Sequence, residues 1–207
     1  QAGASLTIFA DRQTDRTLFG WEMPASYFQS VNPLAIILLA PLFSSLWLNL
    51  GNRNREPSSP KKMAIGLSLV SLGYVVIAFA VYGLGMMDKV SMFWLIALYV
   101  IHTMGELCLS PIGLSMVSKL SPLRFSSLLM GTWFLANAAA NKFAGTLSAL
   151  IPGGGENGEV SRTTSFLGFQ IVNLFDFFLV FIVMCGVAAV ILFVLSRWLE
   201  KKMHGIN

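Results

Sequence analysis

Long apolar runs alternate with short polar clusters along almost the whole chain, and the runs have the length of membrane spans. A hydrocarbon core of about 30 Å needs roughly 20 apolar residues in a helix, and five stretches satisfy this: residues 25–50, 63–87, 92–117, 125–151 and 169–195. The connections between them are polar. Residues 11–21 are charged, 51–62 (GNRNREPSSPKK) are turn-rich and basic, 88–91 are tight, 119–124 are short and basic, and 152–168 form a Gly-rich acidic loop that reads as mobile. A basic tail, 197–207, follows the last run. The opening QAGASLTIFAD has neither an initiator Met nor the residue order of a signal peptide. Residues 1–10 therefore read as the end of a spanning helix whose earlier turns are missing. The expectation is a fragment: one helical stub followed by five full spans.

Composition agrees with a membrane protein. The 207 residues are 55% hydrophobic and 12% charged, with a mean hydropathy of +0.69, whereas about a quarter of a soluble domain is charged. The net charge of +4 does not point to nucleic acid, because the basic residues sit between the apolar runs. Assigning connections alternately to two sides puts Arg53, Arg55, Lys61, Lys62, Lys119, Arg124, Arg197, Lys201 and Lys202 on one side, and Arg12, Arg16, Lys89 and Arg162 on the other. The more basic side is cytoplasmic by the positive-inside rule, which places the C-terminus inside. Cys108 and Cys185 both lie within apolar runs and suggest neither a disulfide framework nor a metal site.

A few polar residues inside the runs carry the candidate chemistry. Glu106 is the foremost, since a charged group at the centre of a span costs roughly 3 kcal/mol on insertion scales and calls for water, a partner or a ligand. His102, Glu106, Ser110 and Gly113 share a face at helical spacing, and Pro111 can kink the helix beside them. One reading has Glu106 neutralised by a proton or by Lys142; the other, which is favoured, makes it a binding residue for a cationic group or a proton. Trp133, Asn137 and Asn141 repeat at intervals of four in the next run, as a cavity wall or as helix-to-helix packing. Asn32 beside Pro33 either serves a site or satisfies local backbone. His102 reads as a hydrogen-bonded helix residue.

Four segments in order, FADRQTDRTLFG, FQSVNPLAIILLAPL, GELCLSPIGLSMVSKLSP and MGTWFLANAAANKFAG, resemble the C-terminal half of a proton-dependent oligopeptide transporter, within the major facilitator superfamily. The resemblance covers residues 1 to about 145. It implies an all-α integral membrane fold: a six-helix C-terminal bundle of a twelve-helix transporter, with its first helix (helix 7) truncated and the N-terminal bundle absent. It also implies carriage of di- and tripeptides into the cell with protons as the coupling ion, no other cofactor, and no enzymatic activity. The location implied is the cell (inner or plasma) membrane, crossed many times. By the same resemblance Glu106 faces the peptide's amino terminus, Asn32 assists it, and Ser110 and Trp133 line the pocket; Asn137 joins them by its face. The acid that often precedes Gln1 in the family's seventh-helix motif falls outside the chain, as do the first-half residues that hold the peptide carboxylate. Two alternatives stay open: a family member carrying another solute such as nitrate or a drug-like molecule, and a structural bundle without a ligand. Pro33, Gly105, Pro111 and Gly113 are the candidate bending points.

Overall fold

In hydrocarbon every backbone N–H and C=O must find its partner within the segment, so apolar runs of this length fold as helices. The computed structural model of the chain describes residues 5–18, 20–85, 88–152, 164–166 and 168–202. Six α-helices lie among them: α1 (Ser5–Arg12), α2 (Val31–Asn52), α3 (Ser59–Val81), α4 (Met92–Leu120), α5 (Ser126–Ser148) and α6 (Leu174–Lys202). A 3-10 segment, Ala25–Ser30, feeds directly into α2. The combined stretch Ala25–Asn52, together with α3, α4 and α6, is long and apolar enough to cross a membrane. Helix α5 is more polar, carrying Asn137, Asn141 and Lys142. Residues 1–4 of the expected stub, 86–87 of the expected second span, 153–163 and 167 of the Gly-rich loop, and 203–207 of the tail lie outside the described residues.

The helix ends differ from the apolar limits for local reasons. Helix α3 starts at Ser59 rather than at residue 63, with Pro60 in its first turn, where proline's missing N–H costs nothing. Its two early lysines are held by carboxylates: Lys61 Nζ lies 2.9 Å from Glu200 Oε1, and Lys62 pairs with Glu56. Helix α6 starts at Leu174 because Asn173 caps it, its Oδ1 accepting the Asp176 N–H at 2.8 Å. Residues 169–171, expected within the span, instead pair as a hairpin (Thr164–Phe166 with Phe169–Ile171). At its far end α6 continues to Lys202, since Glu200 also accepts from Ser58 and ties the last turn to α3. Pro111 does not break α4, and Pro33 sits in the first turn of α2.

Helix α3 is the centre of the bundle, packed along both α4 and α6, while α2 lies against α4. Its approach to α4 is closest where Gly66 faces Gly105: a Cβ on either glycine would stand 2.8 Å from the other's carbonyl oxygen. Only hydrogen side chains allow that crossing. The buried core gathers at one end. It joins Leu6 and Phe9 of α1, Tyr74 and Ile77 of α3, Leu95 and Leu98 of α4, and Phe177, Phe178 and Phe181 of α6. The aromatic rings interlock there, with Phe9 edge-on to Phe178 at 5.4 Å and Tyr74 stacked on Phe181 at 5.0 Å. A parallel bridge between Thr14–Asp15 and Val90–Ser91 fastens the end of α1 to the start of α4. Nearby, Arg16 bonds Asp11, Glu22 and the Met23 carbonyl. Away from this end α2 and most of α5 stand exposed along their lengths.

Candidate functional site

The start of α2 and the middle of α4 meet in a polar junction. Asn32 enters from the first turn of α2, held against α4 by the packing of those two helices. Its Nδ2 donates to Glu106 Oε2 at 2.8 Å and to Thr103 Oγ1 at 3.2 Å. Thr103 is completely buried, and its hydroxyl donates back to the Tyr99 carbonyl one turn earlier, at 2.8 Å. Glu106 itself is exposed on the open side of the bundle, as is Ser110 one turn further along the same helix. Beside the junction, Gln29 Nε2 donates to Thr7 Oγ1 of α1 at 3.0 Å. Among the described residues, Asn32 Oδ1 and Glu106 Oε1 accept no hydrogen bond.

The face expected to hold His102, Glu106, Ser110 and Gly113 is divided. A spacing of four residues advances about 40° around a helix, so His102 and Ser110 point roughly 80° apart. His102 turns to α3, where Nε2 lies 3.2 Å from the Val70 carbonyl and the ring packs 4.6 Å from Tyr74. Gly113 turns to α5 and is covered by Trp133: a Cβ there would stand 2.3 Å from the indole. Trp133 is thus half-buried, between Gly113 and a largely apolar cavity of 380 Å³ that Met116, Val117, Leu129 and Thr132 help to line. Asn137 is exposed, and its Nδ2 donates to the Trp133 carbonyl at 3.3 Å, within its own helix. Lys142 is exposed and makes no ion pair among the described residues.

So Asn32 and Glu106 are joined directly, Ser110 stands one turn from Glu106, and Trp133 flanks the same helix through Gly113. Asn137 is reached only by way of Trp133. Gly105, expected as a bending point, lies instead at the closest helix crossing, and it faces α3 while its neighbour Glu106 faces outward. Thr103 was not among the expected residues, because a threonine in an apolar helix reads as packing; its place three residues before Glu106 was the available signal. The chemistry of the junction is that of an acceptor pair: a carboxylate oxygen and an amide oxygen, both open, on the exposed side of α4. Such a pair suits a group carrying several N–H donors and a positive charge.

Comparison with known proteins adds to this geometry. The family model PTR2, described as the POT family, matches residues 1–161. The peptide transporter YePEPT of Yersinia enterocolitica is 40% identical over 153 residues, covering 71% of this chain and 29% of that protein. An uncharacterized transporter, YclF of Bacillus subtilis, is 40% identical over 150 residues, covering 72% of this chain and 30% of that protein. Among solved structures, a crystal structure of the peptide transporter POT in complex with sulfate superposes with a TM-score of 0.78 at 34% identity, over 95% of this chain and 36% of that one. The chain thus spans about 30% of the length of the curated relatives it matches.

Proposed function

Since the chain belongs to the POT family, we propose that it supplies one six-helix bundle of a proton-coupled di- and tripeptide transporter, and within it the half of the site that receives the peptide's amino terminus. It is a multi-pass membrane protein with the fold of the POT transporters. The observation that carries the proposal is the Asn32–Glu106 hydrogen bond on the open side of α2 and α4. A peptide ammonium placed there meets the free oxygens of both residues, and hydrogen bonds to a charged group contribute about 1.5–3 kcal/mol each, roughly twice a neutral one. Ser110 and Trp133 extend the wall along α4 and α5, and Asn137 continues it. The exposed faces of α2 and α5 leave room for a second bundle, with the substrate held between the two near the bilayer midplane and each bundle rocking against the other.

Protons are the coupling ion in this reading, with no other cofactor. The excess of nine basic positions over four supports a cytoplasmic C-terminus, and in this reading the chain lies in the cell membrane. The activity is carriage rather than catalysis. Anionic solutes such as nitrate fit less well, because Glu106 would repel them. A bundle without a ligand would have no use for two open acceptors on its exposed side.

The test is dipeptide uptake into liposomes by the full-length transporter with and without an inward proton gradient. The wild type should accumulate dipeptide only with the gradient, and Glu106→Gln should lose accumulation while remaining folded. Gradient-independent accumulation would remove the proton from the account, and equal uptake by the variant would remove Glu106.

A further inference from the structure

We infer that Thr103 is a positioning residue: it fixes which way the Asn32 amide faces, and so decides that the amine site offers two acceptors rather than one. The inference rests on the amine-site reading above. A threonine hydroxyl has one proton to give. In Thr103 that proton goes to the Tyr99 carbonyl at 2.8 Å, the bond a helical threonine makes to the residue four back. What Oγ1 has left is lone pairs. Whatever satisfies it from α2 must therefore be a donor, and the Nδ2 of Asn32 supplies an N–H at 3.2 Å.

The second proton on Nδ2 is then directed at Glu106 Oε2, 2.8 Å away. Turning the amide over would set Oδ1 against an oxygen with no proton to share and against a carboxylate. Two hydrogen bonds would become two repulsions in a place where Thr103 is wholly shielded from water. The amide is held in one sense, and Oδ1 is left for an incoming donor. Thr103 and Glu106 are three residues apart on one rigid helix, so the pair reads Asn32 as a unit. A residue that touches no ligand thereby sets the number of acceptors a ligand meets.

The experiment compares full-length wild type, Thr103→Val and Thr103→Ser for uptake of a free-amine dipeptide and for inhibition by its N-acetylated analogue. Valine keeps the shape and removes the lone pairs, whereas serine keeps the hydroxyl. Thr103→Val should raise KM about three- to tenfold, the equivalent of one neutral hydrogen bond. Its maximal rate should stay unchanged and its preference for the free amine should shrink; Thr103→Ser should restore both values. A valine variant equal to wild type, or a serine variant as impaired as valine, overturns the inference. A second route comes from α2: in an Asn32→Ala background, adding Thr103→Val should cost nothing further, and an additive loss contradicts the assignment. Glu106→Gln run alongside separates the two levels. If it keeps the full preference for free amines, the amine-site reading falls and the inference falls with it; if it abolishes that preference while Thr103→Val does not weaken it, only the inference fails.

Discussion

Replacing Gly105 by alanine should destabilise the protein, against the usual expectation for a helical glycine. In a helix interior Gly→Ala ordinarily stabilises by up to about 1 kcal/mol, because glycine loses more backbone freedom on folding. At Gly105 the new Cβ would lie 2.8 Å from the Gly66 carbonyl oxygen and 2.8 Å from Val70 Cγ2, where ordinary contact begins at 3.4 Å. The carbonyl is backbone, so no rotamer change relieves it. Overpacking of this kind costs about 1–3 kcal/mol, which exceeds the propensity gain and leaves a net loss of up to about 2 kcal/mol. Gly186 is the control, since its Cβ would meet only Ser71 Oγ at an ordinary 3.5 Å. Gly186→Ala should therefore keep the propensity gain. Thermal unfolding of the detergent-solubilised full-length protein would read both, with the midpoint falling for Gly105→Ala and holding or rising for Gly186→Ala. Parallel shifts in the same direction would refute the close crossing of α3 and α4. The crossing bears on function as well, because Gly105 precedes Glu106 and any displacement of α4 shifts the carboxylate relative to Asn32.

Three further outcomes follow from the same geometry. Gly113→Ala should displace the Trp133 indole, since the added Cβ would approach it to 2.3 Å; dipeptide KM should rise while the intrinsic tryptophan fluorescence changes, and an unchanged KM would detach Trp133 from the site. Glu56→Ala should cost about 1–3 kcal/mol in unfolding, because it strips the partner from Lys62, whose side chain is only 10% exposed. Glu200→Ala, which frees the more exposed Lys61, should cost less than about 1 kcal/mol, and the reverse order would show that the two carboxylates have been ranked wrongly.

How much of this was legible in the sequence depends on whether a residue's partner was near in the chain. Glu106 and Asn32 stood out because each is polar within an apolar run, and that cost alone called for a partner. The family motifs then implied which partner. Thr103 was silent, because its role exists only once α2 lies against α4 and the Tyr99 carbonyl takes its proton. The direction of His102 was hidden by the drift of a four-residue spacing, which carries it onto α3 beside Tyr74. The bridge between Thr14–Asp15 and Val90–Ser91 joins strands too short to have a pattern of their own. The ends of α6 differ from the apolar limits for a related reason. Hydropathy marks where a helix is apolar, whereas Asn173 capping one end and Glu200 binding the other decide where it stops.

In the proposed function Glu106, oriented with Asn32, receives the amino terminus of a peptide. Equilibrium binding of one dipeptide and its N-acetylated analogue to the full-length transporter, in wild type and Glu106→Gln, tests it most directly. Wild type should bind the free-amine peptide well and the acetylated one poorly, and the variant should bind both with the same low affinity. A variant that still distinguishes the two peptides as sharply as wild type would contradict it.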